Sequence, residues 1–289
     1  MLDRLDPSRR RRSIAVVGLL LFGLVACAGG ADEEDYVERP VGDLYNAALD
    51  SLLEDLPRQA ARGFEEVERQ HPYSEWATRA QLMSAYAFYE ANAYDEAVDA
   101  AQRFIDLHPG HKDVVYAYYL IGVCYYERIS DVGRDQRMTE DAYRAFEELI
   151  RRFPDTEYAR DAQLKADLAR DHLAGKEMEI GRYYLERGKY VAAINRFRNV
   201  VERFQTTTHV AEALHRLTEA YLALGVEQEA ERTAAVLGYN FPNSPWYVDS
   251  YALLTGETVE LPPRPADEEE DGAAPTGDRR TLFDWSNIF

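Results

Sequence analysis

The chain has 289 residues, with 52 Asp and Glu against 33 Lys and Arg, and a formal net charge of −19. Such an acidic body repels nucleic acid and anionic lipid surfaces, so neither is expected as an electrostatic partner. Two cysteines cannot build a disulfide framework, so stability has to come from apolar burial.

The first element is an export signal. Arg9 to Arg12 precede an apolar run of 12 residues, Ile14 to Val25, which closes as Leu24-Val25-Ala26-Cys27. A basic start, an apolar middle and small residues at a cut define a secretory signal. Cys27 at the cut gives the pattern of bacterial lipoproteins, whose thiol takes a diacylglycerol before cleavage. The run is shorter than the roughly 20 residues of a membrane-spanning helix. We therefore expect residues 1–26 to be removed and residues 27–42 to serve as an acylated N-terminus and spacer. Ala28 rather than Asp follows the cysteine. By similarity to sorted lipoproteins, that places the protein at the outer membrane, lipid-anchored on its periplasmic face. The five Arg of the signal outweigh Asp3 and Asp6, which leaves the remainder near −22. Membrane contact then falls to the lipid alone.

Residues 43–255 repeat. Five amphipathic stretches end at His71-Pro72, His108-Pro109, Phe153-Pro154, Phe204-Gln205 and Phe241-Pro242. Twelve residues before the second residue of each pair stand Ala60, Ala97, Ala142, Ala193 and Ala230. Eight before stand Phe64, Ala101, Phe146, Phe197 and Ala234; five before stand Val67, Phe104, Leu149, Val200 and Leu237. A partner stretch upstream carries Ala48, Ala85, Gly122, Gly181 and Thr218. Small residues let two helices approach and large ones fill the hole beside them. A lone helical hairpin cannot cover its apolar face, so hairpins stack. The expected fold is all-α: five tetratricopeptide-like hairpins stacked into a curved superhelix with disordered termini. Cys124, between Val123 and Tyr125, reads as a small buried hydrophobe.

The spacing is uneven. An excess between Tyr126 and Asp141, around Ser130 to Arg134, predicts a loop within the third hairpin. The stretch Glu157 to Arg187 predicts one long helix, or two broken near Gly175. From Gly256 the chain turns to Leu261-Pro262-Pro263-Arg264-Pro265 and Asp267 to Asp271, a composition that packs no core. The acidic, Pro-rich tail 256–289 ends in the apolar segment Leu282 to Phe289, a short motif suited to docking on a partner or on the chain's own groove.

In stacked hairpins the first helices line the concave side. The positions expected to face it are Tyr45, Leu49 and Leu52, then Leu82, Tyr86 and Tyr89, then Tyr116, Tyr119, Val123 and Tyr126. The fourth and fifth hairpins offer Met178, Arg182, Leu185, Glu212, His215, Glu219 and Leu222. The N-terminal half of the groove is therefore aromatic and the other half polar. Tyrosine suits peptide binding, because it offers a broad apolar face with little entropy to lose. About half of these tyrosines are expected to be accessible. No G-x-S-x-G, H-E-x-x-H or phosphate-binding loop occurs. His108 and His111 straddle a Pro-Gly turn, where capping is expected rather than metal binding. Neither metal nor cofactor nor catalysis is expected.

The layout resembles the BamD family, the lipoprotein subunit of the outer-membrane β-barrel assembly machinery. Tyr116-Ala117-Tyr118-Tyr119-Leu120-Ile121-Gly122 is similar to that family's third repeat, and Tyr183 to Arg196 to its fourth. The resemblance covers residues 43–254. It implies a scaffold that binds unfolded outer-membrane barrel clients through its N-terminal repeats. It also implies contacts from the C-terminal repeats to the barrel-forming subunit and accessory lipoproteins. Arg196 is the candidate for an ion pair with that subunit. Two rivals stand beside this reading. One is a periplasmic scaffold organising peptidoglycan enzymes or envelope constriction. The other, an α-superhelical transglycosylase, needs a globular catalytic domain that the short polar tail does not supply.

Overall fold

The computed structural model describes residues 38–257. Cys27, most of the 27–42 spacer and the tail after Glu257 lie outside these residues. The chain divides into units Met1–Pro40 and Val41–Phe289; of the first, only residues 38–40 are described, and they form no regular element.

The second unit is helical throughout its described length. The helices are α1 (Val41–Leu53), α2 (Pro57–Gln70), α3 (Glu75–Glu90), α4 (Tyr94–Leu107), α5 (Val114–Tyr126) and α6 (Arg137–Arg152). There follow α7 (Glu157–Glu186), α8 (Tyr190–Arg203), α9 (Val210–Ala223), α10 (Glu227–Asn240) and α11 (Pro245–Thr255). The first ten form five hairpins and α11 caps the last. Each second helix packs on its own partner and on the next first helix. First helices also touch one another in sequence, whereas no two second helices touch among the described residues. The array is therefore a solenoid with α1, α3, α5, α7 and α9 inside and their partners outside.

The repeated stops have one cause. His71, His108, Phe153, Phe204 and Phe241 all leave the helical region, with φ between −121° and −134° and ψ between 41° and 56°. Four of them precede proline, whose ring disfavours helical geometry in the residue before it. Phe204 adopts the same conformation before Gln205, so proline reinforces this turn but is not required for it. A second repeated feature lies inside the hairpins. Asp55, Asn92, Gly188 and Gly225 occupy the same offset before the stop, and all have positive φ, 54° to 74°. Gly, Asn and Asp are the residues that tolerate this conformation.

The sequence offsets locate the core. The five alanines at offset twelve and the five large residues at offset five are all fully buried. At offset eight, Phe64, Phe146 and Phe197 are fully buried too. Each buried ring contributes roughly 2–3 kcal/mol. The rings lie in notches left by small residues on the facing helix. A Cβ added at Gly122 would stand 2.5 Å from Phe146, and one at Gly181 would collide with the Phe197 ring. Cys124 is buried, and burial pushes its thiol up to about 12.

Two alternatives left by the sequence are resolved. Residues 127–136 form the loop inside the third hairpin, and α7 runs unbroken for 30 residues. Gly175 is buried within it, so no break is needed there. This one helix serves two cores. The first apolar cluster ends on it at Ala166 and the second begins at Ala174.

Helix α11 closes the array. Trp246 packs against His215 at 5.2 Å, and His215 Nδ1 lies 2.9 Å from the buried Ser250 hydroxyl. Burial, aided by Arg216, holds the His215 pKa below the usual imidazole value.

Two outcomes follow. Gly122→Ala gains helix propensity, at most about 1 kcal/mol, but meets a ring that cannot retreat. We expect a net loss of about 1–2 kcal/mol by urea unfolding. Gly42→Ala, at a position with open space, should be neutral or stabilising; equal effects at both sites would refute the notch. The second outcome concerns pH. The unfolded chain protonates His215 near its ordinary value of about 6.5, before the folded protein does. Stability from this group is therefore full above that pH and is lost as pH falls towards the lower folded pKa. His108, also depressed by burial, acts in the same direction. Between pH 7 and 5 the stability slope should flatten in His215→Phe without vanishing, and an unchanged slope would rule His215 out.

Candidate functional site

The sequence placed the groove on the inner helices, and the structure shows which of those side chains reach its surface. Tyr45, Leu82, Tyr86, Tyr116 and Tyr119 are buried, whereas Leu49, Tyr89 and Tyr126 are half-buried. Two of the six expected tyrosines are accessible, fewer than the half foreseen. The reason is a contact that one repeat makes with the next. Tyr45, three residues before the small Ala48, lies edge-on to Trp76 at 4.9 Å. Tyr119, three before Gly122, lies 5.2 Å from Tyr158. His215, three before Thr218, is covered by Trp246 as described. Trp76, Tyr158 and Trp246 each occupy the second position of a first helix or of the cap. All three follow the N-caps Ser74, Thr156 and Ser244, whose hydroxyls accept backbone N–H bonds. The cap fixes the helix start, and the start places an aromatic lid over the preceding repeat.

What remains on the inner face is a stripe along α7. Tyr158, Asp161, Lys165, Leu168, His172, Gly175, Glu179 and Arg182 recur at spacings of three and four, one face of a helix. Sequence reasoning missed it, because the small-plus-large offsets of a standard hairpin do not extend over a helix of twice the usual length. The 3.6-residue period of α7 itself was the usable signal. At its N-terminal end Tyr119 Oη donates to Asp161 Oδ2 at 2.6 Å, and Lys165 Nζ donates to the same oxygen at 2.6 Å. Burial and the hydrogen bond to Asp161 raise the Tyr119 pKa, so the phenol stays protonated. At its C-terminal end Arg182 Nη1 lies 3.0 Å from both carboxylate oxygens of Glu212.

Over the middle of α7, where the two cores part, opens a cleft of about 720 Å³. It is lined from Tyr126, the 127–136 loop, residues 168–182 of α7 and His209. All belong to inner helices or the segments at their ends. The volume lies within the range of small-ligand pockets, roughly 300–1,000 Å³. Its apolar wall is Tyr126, Ile129, Val132 and Leu168. Leu168 is 59% exposed and Leu164, one turn away, 66%. Around the rim stand Asp131, Asp171 and Glu179.

The loop wall is built by one side chain. Gln136 Nε2 donates towards the carbonyls of Asp131, Val132 and Arg134 at 3.1–3.2 Å. Three carbonyls around this nitrogen fix the amide orientation. Its Oε1 accepts from Thr139 at 3.0 Å and faces His172 Nδ1 at 2.9 Å, so Nδ1 carries the proton. Lys176 Nζ adds a bond to the Gly133 carbonyl at 3.1 Å. Opposite, Asp171 accepts from the Thr208 N–H and hydroxyl at 2.9 and 2.8 Å. Hydrogen bonds thus join the two halves where apolar contact lapses.

Arg196 sits on α8, half-buried, with Nη1 3.2 and 3.1 Å from the two oxygens of Glu177 on α7. It was expected as a cation held out for a partner. Within the chain it already has an acid, because the outer groove between α7 and α8 brings the two residues together. No cluster of three or more metal-ligating side chains occurs among the described residues, and no described helix is long and apolar enough to cross a membrane.

A stack of helical hairpins, each second helix packed on its partner and on the next first helix, defines a tetratricopeptide-type fold. Comparison with known proteins gives the family. Residues 37–237 match the family model YfiO, described as an outer membrane lipoprotein. The chain is 52% identical over 247 residues to the outer membrane protein assembly factor BamD of Caulobacter vibrioides, covering 84% of this chain and 81% of that one. It is 46% identical to the protein of that name from Rickettsia prowazekii, covering 84% and 95%. The relative from Neisseria meningitidis serogroup A is 35% identical, with 83% and 95% covered. The chain belongs to the BamD family.

Gln136→Ala should cost about 2–3 kcal/mol, since it strands several polar groups at once. Amide hydrogen exchange should accelerate in residues 127–136 and leave α1–α4 unchanged. A loop that still exchanges slowly would show that Gln136 does not hold it.

Proposed function

We propose that this protein is a lipid-anchored scaffold of outer-membrane β-barrel assembly, tethered through Cys27 on the periplasmic face. It holds unfolded barrel clients close to the barrel-forming subunit and its accessory lipoproteins. The observation that carries the reading is the cleft over α7, an apolar-walled groove in a chain whose relatives are named for outer-membrane protein assembly. An unfolded barrel strand is an extended segment with alternating apolar side chains. Leu168, Ile129 and Val132 offer it apolar contact, and Tyr126 offers a ring face with a polar tip. The acidic chain keeps nucleic acid away. No catalytic group is invoked: the protein acts by raising the local concentration of client beside the subunit that inserts it.

The client groove proposed from the sequence narrows accordingly. Of its residues, Tyr126 lines the cleft; Tyr45, Leu82, Tyr86, Tyr116 and Tyr119 are buried, and Leu49 and Tyr89 are half-buried on inner helices outside its lining. Arg196 is retained as a contact for the barrel-forming subunit, in which an incoming carboxylate competes with Glu177. Such pairs aid register more than net affinity.

Tyr126→Ala combined with Leu168→Ala should weaken binding of a peptide from the terminal strand of a barrel client by about 5–30-fold, with an unchanged helical spectrum. Unaltered affinity would remove the cleft from the client site. Cys27→Ser should move the protein from the membrane to the soluble fraction, and retention would refute the lipid anchor. A pull-down of the tethered protein separates this reading from a peptidoglycan scaffold, because only the former requires the barrel-forming subunit among its strongest partners.

A further inference from the structure

The cleft leaves an apolar stripe that the described fold does not cover. Leu168 lines the cleft with Ile129 and Val132, and Leu164 stands one turn from it on α7; both leucines are more than half exposed. Neighbouring exposed apolar side chains next to an apolar cleft form a contiguous patch, the kind of surface that marks a binding site, unlike leucines scattered singly. Within the same chain is a segment of matching chemistry. Residues 282–289 contain Leu282, Phe283, Trp285, Ile288 and Phe289, five large apolar side chains in eight positions. We propose that this segment docks in the cleft on the Leu164–Leu168 stripe and competes there with clients.

Three observations favour this occupant. The first is reach. Twenty-four residues, 258–281, join the described chain to the segment, and covalent geometry lets them span up to about 80 Å. Helix α11 packs on α9, and α9 on α7, two helix-to-helix steps of about 8–10 Å each. The second is charge. Arg279 and Arg280 stand just before the apolar segment, separated from it by Thr281, and the cleft lining carries Asp131, Asp171 and Glu179 beside Arg182, with Glu179 also paired to Lys176. A basic pair followed by an apolar run matches a lining with three carboxylates, Asp131 and Asp171 foremost, beside an apolar wall. The third is concentration. A segment attached to the same chain meets the cleft at an effective concentration near millimolar, which a second copy of the protein does not reach in dilute solution.

Docking also explains a division within the tail. The connector is dominated by Asp267 to Asp271 and by prolines, and has nothing to bury. The segment after it is apolar and has no covering within its own sequence. An acidic connector beside an acidic array resists collapse onto it, so the apolar segment alone makes contact. Only the competition with clients rests on the function proposed above; the docking itself does not. If the cleft is filled about two-thirds of the time, clients see one-third of the molecules and their apparent Kd rises about threefold.

The test uses the full-length chain with a photoreactive side chain at position 168 and, as control, at Val191, which is exposed on the outer helix α8. At low protein concentration, cross-links within one chain from 168 to residues 282–289 are expected, with few from 191. Equal yields from both positions, or cross-links only between chains, would overturn the proposal. A peptide from the terminal strand of a barrel client should lower the yield from 168. Peptide binding without any tail cross-link would sink the docking and leave the client reading intact. A cross-link that excess peptide does not reduce would support docking and count against the cleft as the client site. Deleting residues 282–289 should tighten peptide binding about threefold, and unchanged affinity would overturn the competition.

Discussion

Everything in this array depends on small residues set against large ones where two helices cross. Gly122 receives Phe146 and Gly181 receives Phe197, with no space for even a methyl group between them. Ala48, Ala85 and Thr218 hold the corresponding places in the other hairpins, all of them buried. Close approach brings the hairpin's outer helix onto its inner one and exposes the next apolar edge for the following hairpin. Because each repeat is covered only by its neighbours, the notch is a condition for the stack and not a local refinement.

The same closeness shapes the surface on which function depends. When inner helices stand this near, an aromatic side chain three residues before the notch no longer points into an open groove. It is roofed by the first turn of the following repeat, as Tyr45 is by Trp76 and Tyr119 by Tyr158. The tyrosine-rich inner face is thus mostly mortar between repeats. A hollow of about 720 Å³ opens over the middle of α7, where the stacking loosens. Here the apolar core is interrupted between Ala166 and Ala174, and Gln136, Asp171, His172 and Lys176 hold the halves together with hydrogen bonds. A break in packing and a cleft are two descriptions of one feature.

That arrangement suits a scaffold for extended chains. Two rigid cores share one long helix, so residues lining the hollow are positioned by both. Half-buried Tyr126 and exposed Leu168 give the hollow an apolar wall, with Asp131, Asp171, Glu179 and Arg182 beside it.

The sequence by itself determined the periodic part of the protein. The offsets from each helix stop located the alanines, the buried rings and the turn geometry, because these features arise from contacts within a hairpin and recur with it. It also located the third-hairpin loop, from nothing more than an excess of residues. Which tyrosines face water was decided by tertiary structure alone. Exposure of Tyr86 or Tyr119 depends on the approach of a different repeat, a distance that no local pattern records. Likewise, the pairing of Arg196 with Glu177 comes from the packing of α8 on α7, which no local pattern records. The cleft is the clearest case. It lies where the repeat pattern lapses, so the repeated offsets carry no signal for it, and the course of an unbroken α7 past the 127–136 loop brings its walls together.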